Sequence, residues 1–203
     1  MREFGTAVIL AGGQSSRMGF DKQLLGKGNQ SLIKRIRLSL GARFDDIIIV
    51  TNTPELYEGN DVRVITDIVP GMGPLGGIHA ALTHSSSESI FVIACDMPYI
   101  DLPYLDYMKS IIKGNRYDAC VTEDLSSKGR YQAFHSFYYR SALPVIEADL
   151  RAQKASMYYL LRKINTKVIS FDQARPYITV RNLFLNLNTH DEYEKYLFLE
   201  DIY

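Results

Sequence analysis

The residues VILAGGQSSRMGFDK, at positions 8–22, decide the fold of this chain. An apolar run ends in the pair Gly12-Gly13, and Arg17 and Lys22 follow within ten residues. Glycine has no Cβ, so its backbone N–H groups can approach an anion closely, and it tolerates positive φ. The stretch therefore indicates a turn that binds nucleotide phosphates, with two cations nearby to neutralise their charge. An ordinary strand-end turn beside two solvated cations explains the same residues and remains the alternative.

Two familiar phosphate-binding motifs do not fit this stretch. The dinucleotide fingerprint requires Gly-x-Gly-x-x-Gly, whereas the loop has Gly12, Gly13 and Gly19. The P-loop requires Gly-x-x-x-x-Gly followed by Lys and Ser or Thr, which Gly26-Lys27-Gly28 does not supply. Neither of these two classes of nucleotide-binding protein is indicated.

Short apolar runs and helix-like segments alternate around this loop. Runs that are apolar throughout indicate strands buried on both faces, and apolar residues at 3.6 spacing indicate helices. The alternation predicts an α/β fold of three layers, α/β/α, with a doubly wound, mostly parallel (mixed) sheet. The predicted strands are Thr6–Leu10, Ile47–Val50, Val62–Ile65, Ile90–Ala94, Asp118–Val121, Tyr131–Tyr139 and Thr166–Phe171, with a last apolar run at Leu183–Leu187. The predicted helices are Ser31–Leu40, Leu75–Leu82, Tyr104–Ile112, Ala142–Gln153, Met157–Lys163 and Asp191–Leu199.

The amino-acid composition argues against several classes of function. Lys plus Arg (23) equals Asp plus Glu (23), so no overall basic charge attracts nucleic acid or acidic lipid. The two cysteines have no Cys-x-x-Cys spacing, which predicts reduced thiols rather than a zinc site or a disulfide framework. No apolar run approaches the roughly 18 to 20 residues that span a bilayer. We expect a single domain over residues 1–203, free of membrane and located in the cytoplasm.

Polar residues follow the predicted strands at one edge of the sheet. Gly12-Gly13 follow the first strand, Asn52 the second, Asp67 the third and Asp96 the fourth. In open parallel sheets, ligands bind beyond the carboxyl ends of the strands, where the strand order reverses. These residues are therefore the candidate ligand site.

Each of these residues also has a structural interpretation. Asp96 can hold Mg²⁺, which takes one or two carboxylates plus phosphates and waters, or it can cap the turn before Pro98. Asn52 offers a donor and an acceptor to a base or ribose, or starts a turn. Four glycines between Gly71 and Gly77 fit a backbone packed against a flat ligand, or a tight turn into a helix whose first turn holds Pro74.

Near the end of the chain, Asn186 and Asn188 lie two residues apart, and on a strand they would face the same side. Thr189 and Glu192 form a plausible capping box for the last helix. The basic residues between Arg151 and Lys163 form a candidate edge for a substrate phosphate, although a solvated helix face accounts for them more simply.

The pattern Leu-Ala-Gly-Gly-x-Ser-x-Arg-Met-Gly-x-Asp-Lys, at residues 10–22, resembles the signature of the molybdenum cofactor guanylyltransferases. Further segments resemble that family in the same order, at residues 67–78, 93–98 and 185–192. In the last of them His190 replaces the family's usual proline, which weakens that match. The resemblance implies a Rossmann-like nucleotidyltransferase fold, with a nucleotide-binding half of about residues 1–100 and a pterin-binding half of about residues 101–203.

The resemblance also implies a role for individual residues. Catalysis is expected from Arg17, Lys22 and Asp96, and Asp96 is expected to bind Mg²⁺. Pterin binding is expected from Asn186 and Asn188. The residues expected to bind the nucleotide are Leu10, Ala11, Gly12, Gly13, Lys22, Asn52, Asp67, Gly76 and Asp96.

The implied reaction joins GMP from GTP to the terminal phosphate of molybdopterin, the pterin form of the molybdenum cofactor, and releases pyrophosphate. GTP and molybdopterin would be its small-molecule substrates, with transient contacts to molybdenum-insertion and molybdoenzyme chaperone proteins. Three alternatives remain: a cytidylyltransferase, a sugar-phosphate nucleotidyltransferase and a non-catalytic nucleotide-binding partner of a molybdoenzyme chaperone. Cytidylyltransferases tend to carry Leu-Ala-Ala-Gly, so Leu10-Ala11-Gly12-Gly13 favours guanine.

Overall fold

The computed structural model describes residues 2–12, 26–27, 30–57, 62–125, 129–189, 191–194 and 196. The strands are β1 (Thr6–Leu10), β2 (Gly26–Lys27), β3 (Gln30–Ser31), β4 (Asp46–Val50), β5 (Arg63–Ile65), β6 (Ser89–Ala94), β7 (Ala119–Glu123), β8 (Tyr131–Tyr139) and β9 (Thr166–Ile169). The α-helices are α1 (Leu32–Leu40), α2 (Gly73–His84), α3 (Leu102–Ile112), α4 (Leu143–Arg151), α5 (Met157–Lys163) and α6 (Phe171–Ala174). Residues 191–194 and 196 are also helical.

The described strands form a mixed sheet around β1. Seven of them are ordered β5-β4-β1-β6-β8-β7-β9, and β2 pairs with β3 in a separate ladder. β1 pairs in parallel with β4 on one side and with β6 on the other, while β8 runs antiparallel to both of its neighbours. The chain moves outward from β1 to β4 and β5, then returns to the other side of β1 as β6. The strand order thus reverses beside β1, which is where ligands bind in such sheets.

Helices cover both faces of the sheet because side chains alternate along each buried strand. Ala7 and Ile9 of β1 face a core that includes α1, α3, α6 and the helical residues near position 193. Val8 and Leu10 face the opposite core, which includes α2, α4 and α5. The predicted three-layer α/β/α architecture with a mostly parallel, mixed sheet is therefore confirmed.

Two predicted segments differ from the structure. The strand predicted to reach Phe171 ends at Ile169, because Ser170 caps α6: the Ser170 hydroxyl accepts from the Gln173 N–H at 3.3 Å, and the Gln173 side chain accepts from the Ser170 N–H at 3.2 Å. The apolar run Leu183–Leu187 lies in turn and irregular backbone rather than in a strand, with Leu183 and Leu187 buried as separate anchors in the core.

No helix within the described ranges has the length and apolar character needed to cross a membrane.

Candidate nucleotide-binding site

Backbone hydrogen bonds bring the ends of four strands to one edge of the sheet. Ala11 donates its N–H to the Val50 carbonyl at 2.8 Å, and Cys95 donates to the Leu10 carbonyl at 3.0 Å. Thr51 donates to the Ile65 carbonyl at 3.0 Å. The loops that leave β1, β4, β5 and β6 therefore start side by side, and the polar residues predicted at these strand ends are carried on them.

Asn52 and Asp67 meet at this edge. The Asn52 amide Nδ2 donates to the Asp67 carboxylate at 3.5 Å, and a Cβ added to Gly12 would lie 3.6 Å from the same amide nitrogen. Burial raises the pKa of Asp67, and the hydrogen bond from Asn52 partly offsets that rise. An exposed glycine backbone thus lies against a linked amide and carboxylate, which offer both donor and acceptor atoms to a ligand.

The glycines before and within α2 allow this helix to pack against the same site. Gly71 and Gly73 have φ values of +81° and +54°, which favour glycine, and Pro74 occupies the first turn as predicted. A Cβ on Gly77 would lie 2.9 Å from Leu10 Cδ2, and one on Gly76 would lie 3.1 Å from the Val69 carbonyl oxygen. The tight turn and the helix start are therefore both present, and the start of α2 lies directly beside the end of β1.

Asp96 lies just beyond β6, where a segment from the second half of the chain reaches it. Its carbonyl accepts the N–H of Leu187 at 2.9 Å, so the segment containing Asn186 and Asn188 runs beside it. The last helix begins as predicted: Glu192 accepts from the Thr189 N–H at 3.0 Å, and Thr189 accepts from the Glu192 N–H at 3.2 Å. Since this segment is not a strand, strand alternation does not apply to Asn186 and Asn188.

Asp101 organises this region and was not among the predicted site residues. Its carboxylate is buried and accepts the N–H of Tyr104 at 3.1 Å, which caps α3. The other oxygen accepts the N–H groups of Thr179 at 2.6 Å and Val180 at 2.8 Å. Asp before Leu-Pro at a helix start was a recognisable capping signal in the sequence. The second partner, 78 residues away, was not.

Three predicted residues, Gly13, Arg17 and Lys22, lie outside the described residues. The predicted basic edge is largely engaged within the protein. Arg151 pairs with Glu147 at 3.8 Å, and Lys163 pairs with the buried Asp149 at 2.5 Å. These two cations are neutralised locally, which supports the simpler interpretation of a helix face.

The described donors fit a metal that binds together with substrate. No three His, Cys, Asp or Glu side chains within the described ranges come together as a metal cage. Asp96 supplies one carboxylate at the strand end, and it is partly exposed. Mg²⁺ commonly binds through one or two carboxylates and completes its shell with phosphates and waters. A single, partly exposed carboxylate of this kind is compatible with a Mg²⁺ ion that takes its other ligands from phosphates and waters.

Residues 7–168 match the family model described as MobA-like NTP transferase domain. The chain is also 44% identical over 199 residues to a protein of Peptoclostridium acidaminophilum named probable molybdenum cofactor guanylyltransferase, with 95% of this chain and 88% of the relative covered. The chain belongs to the MobA-like nucleotidyltransferase family. The resemblance to molybdenum cofactor guanylyltransferases found in the sequence is therefore confirmed.

Solved structures of this MobA-like fold agree with the architecture. Molybdopterin-guanine dinucleotide biosynthesis protein A from Archaeoglobus fulgidus superposes with a TM-score of 0.82 at 21% identity, covering 98% of this chain and all of that one. Rv0371c of Mycobacterium tuberculosis, in complex with manganese, has a TM-score of 0.58 at 16% identity, covering 88% of this chain and 99% of that one. At these identities the likeness establishes the fold, including the Rossmann-like nucleotidyltransferase topology expected from the sequence.

We predict that Asp101→Asn destabilises this MobA-like fold by at least about 2 kcal/mol, because the amide NH₂ group would face backbone N–H donors that lose their acceptor. Urea unfolding measures the change in the free energy of unfolding. Asp106→Asn is the matched control, since Asp106 is exposed and pairs with Arg43 at 3.0 Å, a contact worth about 0–1 kcal/mol. Equal stability of the two variants would contradict the role given to Asp101.

Proposed function

We propose that this protein transfers GMP from GTP to the terminal phosphate of molybdopterin and releases pyrophosphate, forming the guanine dinucleotide form of the molybdenum cofactor. The observation that carries the proposal is the meeting of Gly12, Asn52, Asp67 and Asp96 on adjacent loops where the strand order reverses. The names of the relative at 44% identity and of the Archaeoglobus structure support guanine and the pterin cofactor as the two substrates.

The nucleotide is proposed to bind between β1 and the start of α2. Leu10 and Ala11, whose backbone is bonded to Cys95 and Val50, would position the turn at the nucleotide, and the backbone amides of Gly12 and Gly13 would face the phosphates. Asn52 and Asp67 would contact the base or ribose, and Gly76 leaves room for it. Support comes from the close packing here: a Cβ on Gly76 would lie 3.7 Å from the Asp67 carboxyl carbon. Glycine at this position therefore lets α2 pack close to Asp67.

Charge repulsion is the main obstacle to the reaction, because one anionic phosphate must attack the α-phosphorus of another. We propose that Arg17 and Lys22 screen this repulsion, and that the backbone amides hold the triphosphate in line for attack. Mg²⁺ bound at Asp96 would stabilise the charge that develops on the phosphates. Transfers of this kind depend mainly on positioning and electrostatic stabilisation, so no covalent protein intermediate is expected.

The acceptor is proposed to approach from the second half of the chain. The hydrogen bond from the Leu187 N–H to the Asp96 carbonyl holds the segment that contains Asn186 and Asn188 beside Asp96, which supports their proposed assignment to the pterin side. We propose that residues 1–203 act as one domain, since a single core joins Ala7 to Tyr196. The free thiols of Cys95 and Cys120 support a reducing, cytoplasmic setting, where transient contacts with molybdenum-insertion and chaperone proteins would pass on the product.

The proposed function predicts that pyrophosphate is released with GTP and molybdopterin, and at least about tenfold more slowly with CTP, ATP or UTP. The expected selectivity corresponds to about 1.4 kcal/mol, within the range of one or two hydrogen bonds to a base edge. A coupled pyrophosphate assay with each nucleotide measures it. A preference for CTP would favour the cytidylyltransferase alternative. Nucleotide binding without any pyrophosphate release would favour the non-catalytic one.

We predict that Asp96→Asn and Lys22→Ala each reduce GMP transfer at least about 100-fold, because each removes charge stabilisation from the transition state. Circular dichroism and the unfolding midpoint should remain close to those of the unmodified chain. Asp172→Asn, at an exposed aspartate in the first turn of α6, is the control and should keep full activity. Near-normal turnover in either site variant would remove that residue from the mechanism.

The raised pKa of Asp67 predicts how GTP binding depends on pH. Since burial favours the protonated form, the carboxylate is neutralised on acidification at a higher pH than an ordinary aspartate of pKa about 3.9. The affinity for GTP should therefore fall as the pH falls through the raised pKa of Asp67. In Asp67→Asn this loss of affinity at acidic pH should be absent. In Asn52→Ala the loss of GTP affinity should begin at a still higher pH, because the Asn52 hydrogen bond lowers the pKa of Asp67.

Isothermal titration of GTP between pH 4 and pH 7.5 measures these effects, with circular dichroism at each pH to verify folding. If GTP affinity falls with the same midpoint pH in the unmodified chain, Asp67→Asn and Asn52→Ala, another group controls the pH dependence of binding.

A further inference from the structure

A cleft of about 700 Å³ lies between the start of β8 and α5. Its volume is within the usual 300–1,000 Å³ of small-molecule sites. We name it the β8–α5 cleft. It is lined by Asp124, Arg130, Tyr131, Met157, Tyr158 and Tyr159, among others.

The cleft opens at the same edge of the sheet as Asp96. β8 pairs antiparallel with β6, from Ser89 opposite Tyr139 to Val92 opposite Ser136. The beginning of β8 therefore extends past the end of β6, alongside the segment that carries Asp96. Tyr131, the first residue of β8, pairs with Glu123 at the end of β7, so this end of β8 lies at the edge of the sheet where β6 ends.

The cleft also lies on the same face of the sheet as the proposed nucleotide site. Tyr131, Met157 and Leu161 pack on the core that contains Leu75 and Ile78 of α2. In the strand order, β6 lies between β1, which borders the nucleotide site, and β8, which borders the cleft. Two substrates on either side of Asp96 would therefore meet at this carboxylate.

The cleft presents aromatic rings at its surface. Tyr159 is 63% exposed and Tyr158 is 41% exposed, with their centroids 5.3 Å apart and their planes at 75°. Arg162 fixes Tyr158: its guanidinium lies 5.2 Å from the ring centroid and donates to the hydroxyl at 3.0 Å. Tyr159 is thus an accessible ring with Tyr158 packed edge-on beside it, and such rings bind flat heteroaromatic ligands by stacking.

Arg130 supplies the positive charge of the cleft. Within the described part of the chain its guanidinium has no ion-pair partner, in contrast to Arg151 and Lys163 on the neighbouring helices. Arginine presents five donors in a fixed planar arrangement, which suits the carbonyl edge or an anionic group of a planar ligand. A cation beside a stacking ring selects a polar heteroaromatic compound over a purely apolar one.

We propose that the β8–α5 cleft binds the pterin ring system of the acceptor, stacked on Tyr159, with Arg130 donating to its carbonyl edge. This proposal rests on the proposed function, since it assigns the ring end of the substrate whose phosphate is expected at Asp96. Asn186 and Asn188 would then contact the acceptor between its ring and its phosphate.

The test uses the full chain and the fluorescent pterin 2-amino-4-oxopteridine as the probe. Tyr159→Ala should weaken pterin binding about tenfold, and Tyr159→Phe should stay within about twofold, because the phenyl ring retains the stacking face. Arg130→Ala should also weaken it. Tyr177→Ala is the matched control: Tyr177 is 44% exposed, but it stacks on Tyr107 of α3, on the other side of the sheet.

Two further measurements separate this site from the nucleotide site. GTP affinity should be unchanged in every variant, and in turnover assays Tyr159→Ala should raise the KM for molybdopterin with little change in kcat. Loss of GTP affinity together with pterin affinity would overturn the proposal. So would pterin binding that is undetectable in the unmodified chain or unaffected by Tyr159→Ala.

The two proposals fail separately. If pterin binding depends on Tyr159 while no GMP transfer to molybdopterin occurs, the cleft stands and the proposed function fails. If transfer occurs and its KM for molybdopterin is unchanged in Tyr159→Ala, the function stands and the cleft assignment fails.

Discussion

The parallel pairing of β1 with both β4 and β6 is the constraint on which the site depends. A central strand has neighbours on each side, so its last backbone groups are engaged by both: Leu10 accepts from Cys95, and Ala11 donates to Val50. These bonds align the strand ends, and the chain must leave the sheet in adjacent loops. Polar side chains far apart in sequence, such as Asn52 and Asp67, then become neighbours without any direct covalent link.

The second half of the chain is attached to this edge by a few buried polar contacts. Asp101 ties the start of α3 to Thr179 and Val180, and the Leu187 N–H bonds to the Asp96 carbonyl. A buried carboxylate is costly unless its lone pairs are satisfied, and here they accept several N–H donors. This half of the chain is therefore positioned by specific hydrogen bonds, whereas β1 and β6 are positioned mainly by apolar packing on both faces.

Much of this arrangement could be predicted from the sequence, because buried parallel strands produce strong local signals. The bounds of β1 and β8 match the predicted strands, and α5 matches its predicted helix. The prediction failed where long-range contacts override local pattern. Leu183–Leu187 has the apolar character of a strand, yet Leu183 and Leu187 are separate anchors for an irregular segment. The capping of α3 by Asp101 was readable locally, but its bonds to residues 179 and 180 depend on tertiary structure.

β8 is irregular at the edge of the sheet that carries Asp96. Between Phe137, opposite Cys120, and Gln132, opposite Thr122, β8 contains extra residues that bulge out of the ladder. His135 lies in this bulge with a φ of +60°, a strained conformation for a non-glycine residue. Bulges of this kind redirect side chains next to active sites.

Specific contacts of the His135 side chain compensate for the backbone strain at this residue. His135 Nε2 lies 2.9 Å from the Tyr99 carbonyl oxygen, and burial lowers the pKa of His135 to about 4. The ring is therefore neutral at pH 7 and donates to this carbonyl, three residues after Asp96. Through the contact between His135 and Tyr99, the bulge thus fixes the backbone that follows Asp96. A β8 strand paired with β7 throughout would have no residue turned out of the ladder to reach Tyr99.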